Sequence, residues 1–493
     1  MLRLRSLSPR FLVAALALTA TLTALPLLAE DDQSRFEVKY TKDLPYSGGR
    51  VTIDHGFGSL AIRTHAGNTV EVRATIRSSD HAIGRQIHIT GTEGSGGVTV
   101  RTDFPEIHDY HGNLSYSVEM TVTVPASAPV TAKNRFGSTS VQGLQAPSAI
   151  ENKQGSITFR DARGPHSLTS SFGSIEATDV RGELTVLDNN GSIHVRKVEG
   201  NLSVTNRFGS VDVADVSRSA SILNTNGSIQ ALDIGGNLKA SNAFGTVTAS
   251  TVRGSVDVTA TNGRVDLSNI TGAATVKNTF GTVIANTIGG ALTVNGQNTK
   301  VEADRIGGNT VIDTAFGGVT LSNVTGTARV RSSNGNIKVS DVSGALDAGS
   351  RFGTVHAERI RGAVEVETSN GNVTVNGAGA GAKVRSSFGS IFVDDVTGAV
   401  DILNANGAIS VAGLHGSGCQ PVQLRTSFSS IKVALPSDAA YAVSARTSFG
   451  RVNSTFPLTT TSTSENTLTG TIGRGGCKLD ILNANGNITI ERE

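Results

Sequence analysis

The sequence predicts an all-β fold, a β-solenoid (β-helix) of 18-residue coils in Phe-Gly/Asn-Gly alternation with irregular β caps at both ends. Three observations carry that expectation. Phe-Gly recurs at Phe136, Phe172, Phe208, Phe244, Phe280, Phe316, Phe352 and Phe388, always 36 residues apart, and Gln154, Asn190, Asn226, Asn262, Asn298, Asn334, Asn370 and Asn406 fall halfway between. Gly supplies 57 of 493 residues against 11 Pro, well above its usual level of about 7%. The chain has no Trp, 5 Tyr and 2 Met, so its core must come from Val, Ile, Ala and Leu, residues that favour strands.

The first segment in chain order, residues 1–29, stands apart from the fold. Arg3, Arg5 and Arg10 precede an apolar run from Phe11 to Leu28, and Ala29 ends it before Glu30, Asp31 and Asp32. This pattern reads as a secretory signal peptide cut after Ala29. A retained anchor is the competing reading, since the run is nearly long enough to span a bilayer; Pro26 and the small residue at Ala29 argue against it. No Cys lies near the cleavage point, which disfavours a lipid-anchored form. The whole chain carries 43 basic and 41 acidic side chains. Removing the three arginines leaves 40 against 41, a net charge of −1, which gives no electrostatic reason to expect nucleic acid or anionic lipid.

Residues 30–130 are expected to form an N-terminal β cap with degenerate rungs. Gly56-Phe57-Gly58-Ser59 repeats the rung signature, whereas residues 77–130 alternate without a strict period. Residues 131–416 are the regular solenoid. Counting from each Phe or Asn as zero, apolar residues recur at +3, +5, +8, +12 and +14, as in Ile175, Ala177, Val180, Leu184 and Val186. A spacing of two within +3/+5 and +12/+14 is that of strands with one buried face. Position +1 is Gly in every unit but one, where Thr299 stands; +10 is mostly Gly, as in Gly182 and Gly200, with Ala146 and Arg218 among the departures; and +7 is often Asp, as in Asp179, Asp215 and Asp395. These residues supply turn chemistry. A unit this small cannot hide its own apolar face, so copies must stack.

An 18-residue coil puts Phe and Asn alternately up one corner, whereas a 36-residue coil makes separate Phe and Asn ladders. Like-on-like stacking favours the longer coil, but five inward residues per 18 fit a compact, filled interior, and the shorter coil is preferred. A propeller blade needs about 40 to 45 residues, and the two halves of the 36-residue period share one pattern, so they read as equivalent rungs. The outward surface is expected to be rich in Ser, Thr, Asn and Arg and to have no cleft. Residues 417–493 are expected to hold degenerate rungs and a C-terminal cap, with an exposed loop from Thr459 to Gly476. Cys419 and Cys477 occupy similar settings, and a disulfide between them and two buried free thiols both remain open.

At this point the sequence resembles a family of exported bacterial envelope proteins with β-strand repeats, candidate adhesins whose domain has no assigned activity. The matching features are the leader, the opening through Ile53 into the Gly-Phe-Gly-Ser rung, the recurring Asn-Gly turns and the close from Leu479 to Ile490. The resemblance implies periplasmic, cell-surface or extracellular placement and supplies no site residues.

Chemistry is sparse. His108 and His111 with Asp109 and Glu106 form the densest ligand cluster, yet Pro105 and Gly112 place it on a loop without fixed metal geometry. The nonapeptide of calcium-binding solenoids is absent. Ser170-Ser171-Phe172-Gly173 lacks a paired His, and no nucleophile elbow is present. No catalytic, metal or cofactor residue is assigned. The expected function is a non-enzymatic scaffold that binds a cell-surface polymer or protein, with no transmembrane segment after cleavage. The alternative is a carbohydrate-active β-helix enzyme, a polysaccharide lyase or hydrolase, which would need converging carboxylates.

Overall fold

The computed structural model describes residues 36–107, 113–416 and 420–493. Residues 1–35, which include the expected signal peptide, residues 108–112 and residues 417–419, which include Cys419, lie outside the described residues.

Each unit forms two short strands. In one rung these are Leu184–Asn190 and Ile193–Val198. Both pair in parallel with their counterparts in the preceding and following units, so Phe172 faces Asn190 and Asn190 faces Phe208. One unit is therefore one full coil, as expected, and Phe and Asn share one column. The two strands of successive coils build two parallel sheets whose inward side chains meet. Ile175, Ala177, Val180, Leu184 and Val186 are all fully buried, as the spacing requires.

The corners explain why the inward positions are not evenly spaced. All sixteen units have a positive φ at +7. Thirteen of these are non-Gly residues from Asp161 to Asp395 with φ between 53° and 59°, and the others are Gly143, Gly377 and Gly413. One residue in the left-handed region re-aims the chain, so +8 points inward after +5 and the strand pair can reverse. Asp and Asn suit this position because their short polar side chains tolerate that conformation. The opposite corner uses Gly at +1. Gly245 has φ +117°, and a Cβ there would lie 2.4 Å from the carbonyl oxygen of Gly227 one rung below. From Val256 to Ile306 the chain passes this corner without leaving the ladder, giving three strands of 15 residues.

Both ends are closed by rungs placed out of chain order. Arg50–Phe57 pairs with Val130–Phe136 on one side and Gly97–Asp103 on the other. Beyond lie Thr69–Ser78 and Phe36–Pro45, paired antiparallel. At the far end Cys477–Asn485 inserts between Val422–Phe428 and Tyr441–Phe449. The expected loop after Thr459 is instead an antiparallel hairpin of Thr459–Ser464 and Thr467–Ile472, with Leu468, Gly470 and Ile472 turned inward. Its period of two was hidden by the Thr, Ser and Gly around it. Such antiparallel caps cover the open edges of the stack.

Candidate interaction surface

The corner that carries Phe and Asn is solvent-exposed, which the sequence reading did not foresee. Ten Phe residues, from Phe136 at 39% exposure to Phe449 at 74%, stand on it. They cannot turn inward because the two sheets are already filled by Val, Ile, Leu and Ala. Rungs lie about 4.8 Å apart, so successive Phe residues are about 9.6 Å apart, with an amide side chain between each pair.

The alternation is spatial and not only sequential. After Asn406 the regular period fails, yet the ladder continues as Phe428, Asn485 and Phe449 through the register of the inserted final strand. The rung out of chain order is the one that keeps Phe from meeting Phe. Only at the N-terminal end of the described ladder do two rings lie on adjacent rungs, where Phe57 and Phe136 stack at 4.6 Å and 1°. Four further exposed leucines, Leu187, Leu223, Leu403 and Leu482, each precede a ladder Asn by three residues.

A second, buried column holds this corner in shape. Two residues before each Phe or Asn the side chain points inward and is mostly Asn, Ser or Thr. Asn206 Nδ2 donates to the carbonyls of Gly191 and Gly209 at 3.1 and 3.2 Å. Asn242 and Asn404 donate to Gly227 and Gly389, each at 2.8 Å. The turn carbonyls face a dry interior, where an unmet acceptor would be costly. The signal for this column was visible in Asn152, Ser170, Asn206 and Asn224, but polar residues were not counted as core. Two of its members titrate abnormally. Burial raises the Asp188 carboxyl to about 6 and lowers His55 to about 4.

No reactive constellation is exposed among the described residues. Ser148 Oγ lies 2.8 Å from His166 Nδ1, but both are buried beside Phe159, with the His166 and Phe159 ring centroids 4.9 Å apart, and burial lowers His166 to about 4. Ser170 is itself buried, its Oγ 3.4 Å from the Gly173 carbonyl. Asp179, Asp215 and Asp395 serve as left-handed corner residues. A shallow groove runs along that corner past Arg305, Asn323, Asp341 and Arg359. Two of its charges are paired across adjacent rungs: Arg359 reaches both oxygens of Asp341 at 2.7 and 2.8 Å and holds that carboxyl below its ordinary range. His108, Asp109 and His111 lie outside the described residues, and Glu106 is exposed. Cys477 is buried at the start of the inserted strand, while Cys419, its possible disulfide partner, lies outside the described residues.

These features define an exposed-aromatic β-solenoid. Residues 345–491 match the Toastrack family, DUF4097, a family of unassigned activity of the kind the sequence resembles, and the coil described above runs without interruption into that segment. A solved structure of a candidate cell adhesion protein from Clostridium sporogenes is 8% identical over 93% of this chain and 100% of that one, with a TM-score of 0.17, too low to carry an argument. No curated protein matches the chain.

Proposed function

We propose that this chain is a non-enzymatic envelope or surface scaffold, exported after cleavage at Ala29 to the periplasm, cell surface or extracellular space, whose Phe/Asn edge is a contact surface for a polymer or protein. The observation that carries this reading is the alternation of exposed Phe with Asn, once Gln, along one edge. Exposed apolar surface on that scale marks an interaction site, and a repeated edge multiplies weak contacts along a partner. The basic start and apolar leader support export. Among the described residues no helix is long and apolar enough to cross a membrane.

Binding of the purified chain to immobilised cell-wall and host glycans, together with a depolymerisation screen on the same polysaccharides, tests the proposal. Retention without chain cleavage is the expected result. New reducing ends or unsaturated products would replace it with the enzyme reading.

A further inference from the structure

The ladder contains evenly spaced slots. Between Phe244, Phe280 and Phe316 lie Asn262 and Asn298, so each gap is about 9.6 Å from ring to ring. A ring placed midway would sit about 4.8 Å from both neighbours, inside the range aromatic pairs prefer. The molecule already makes this contact once, where Phe57 stacks on Phe136 at 4.6 Å. An edge with Phe on every rung would fill its own slots in that way. Alternation with Asn keeps them open.

A partner that fills every slot must carry apolar groups at the same two-rung period. The chain itself has that period. Two ladders related by a two-fold axis and offset by one rung interdigitate, each Phe entering above an Asn of the other copy, and the arrangement closes on itself without forming a fibre. The edge offers little charge for an ionic partner: between Phe208 and Phe352 the residues flanking the ladder positions are mostly Thr, Ser, Ala and Gly, with Arg264, Lys300 and Arg351 as scattered cations. Ten half-exposed rings of about 200 Å² each offer about 1,000 Å² per copy, compared with about 800 Å² per partner in a stable complex.

We propose that a second copy of this chain docks edge to edge on the Phe/Asn ladder, its Phe rings entering the slots above the Asn residues. This rests on the reading of that edge as a contact surface and names its occupant.

Sedimentation velocity across a concentration series tests it, with two variants. Phe244→Asn/Phe280→Asn/Phe316→Asn removes rings using a residue the ladder already accepts. Asn262→Phe/Asn298→Phe adds apolar area but fills slots from within. The native chain should sediment as a dimer, and both variants should associate about tenfold more weakly or less. A photoreactive phenylalanine analogue at Phe280 in the otherwise native chain should crosslink to the ladder of a second copy, whatever the folding of the variants. A native chain that stays monomeric throughout its soluble range, or a slot-filled variant that associates more tightly than native, would overturn the proposal. Monomers that instead cosediment with phosphatidylcholine vesicles or insoluble glycan would overturn it and still leave the edge a contact surface.

Discussion

Thr299 and Gly296 have exchanged roles within one rung. Thr299 occupies the corner position that is Gly in the other units, and Gly296 occupies the column position usually held by Asn, Ser or Thr. The Thr299 side chain is fully buried, its Oγ1 donates to the Asn278 carbonyl at 2.9 Å, and a Cβ on Gly296 would lie 2.7 Å from the Thr299 Cβ. One inward side chain per corner is therefore the rule, whichever residue supplies it. Thr299→Gly should destabilise by about 2 kcal/mol by emptying the site and orphaning a carbonyl, and Gly296→Asn by about 1 to 3 kcal/mol through overpacking. The double variant should recover most of the loss in a denaturation cycle. Additive losses would contradict the exchange.

The corner glycines are required by close approach as well as by φ. Gly263 is absent from the positive-φ residues, yet its Cβ would lie 2.0 Å from the Gly245 carbonyl oxygen. Gly263→Ala should lower stability by roughly 1 to 3 kcal/mol, and Gly245→Val should cost at least as much. An unchanged melting temperature for Gly263→Ala would show that the rungs separate easily there.

At the other corner the exposed Thr251 holds φ 57°, a strained setting for a β-branched residue. Thr251→Asn should stabilise by about 1 kcal/mol. A fall in melting temperature would mean that Thr251 makes a compensating contact.

Acid should weaken the fold through its buried imidazoles. His166 is held neutral, its proton affinity lowered to about 4 by burial, against about 6.5 in the unfolded chain. The unfolded state therefore binds more protons as pH falls from 6.5 towards 4, and stability drops by up to roughly 3 kcal/mol. His166→Leu, the residue found at the equivalent Leu184 and Leu202, should flatten that slope in melting curves between pH 7 and 4. A slope equal to native would locate the acid sensitivity elsewhere.

Asp188 should act in the opposite sense. Its column neighbours are Ser170 and Asn206, and burial lifts its pKa to about 6, above an unfolded value of about 3.9. Its contribution is present in full below the unfolded value and is lost as pH rises through 6. Asp188→Asn restores the donor used at Asn206 and should raise stability at pH 8 by on the order of 2 kcal/mol, with little effect at pH 4. Equal effects at both pH values would contradict a titrating carboxyl.

Much of the fold was legible because turn and strand chemistry repeat locally. Ile175, Ala177, Val180, Leu184 and Val186 declared the inward face by spacing, and Asp179 declared its corner by residue type. Three features were not legible. Asn206 and its equivalents look like surface residues until the Gly191 carbonyl they satisfy is seen. The insertion of Cys477–Asn485 depends on long-range pairing that no local period records. Phe172 and Asn190 marked the rungs clearly, but an aromatic residue is ordinarily assigned to the core, and only the filled width between the two sheets forces it outward. Whether Cys419 and Cys477 are linked was equally closed to sequence; we propose that they are, so non-reducing peptide mapping should return them as one crosslinked pair, and two alkylated thiols would contradict it.

The single Phe/Asn column requires that each unit close one coil, and one distance tests it. Spin labels on Asn190→Cys and Asn334→Cys, with Cys419 and Cys477 replaced by Ser, are eight rungs apart in this structure, so pulsed dipolar spectroscopy should report about 38 Å. A distance of about half that value would mean a coil of twice the length, with Phe and Asn on separate ladders and no slots between the rings.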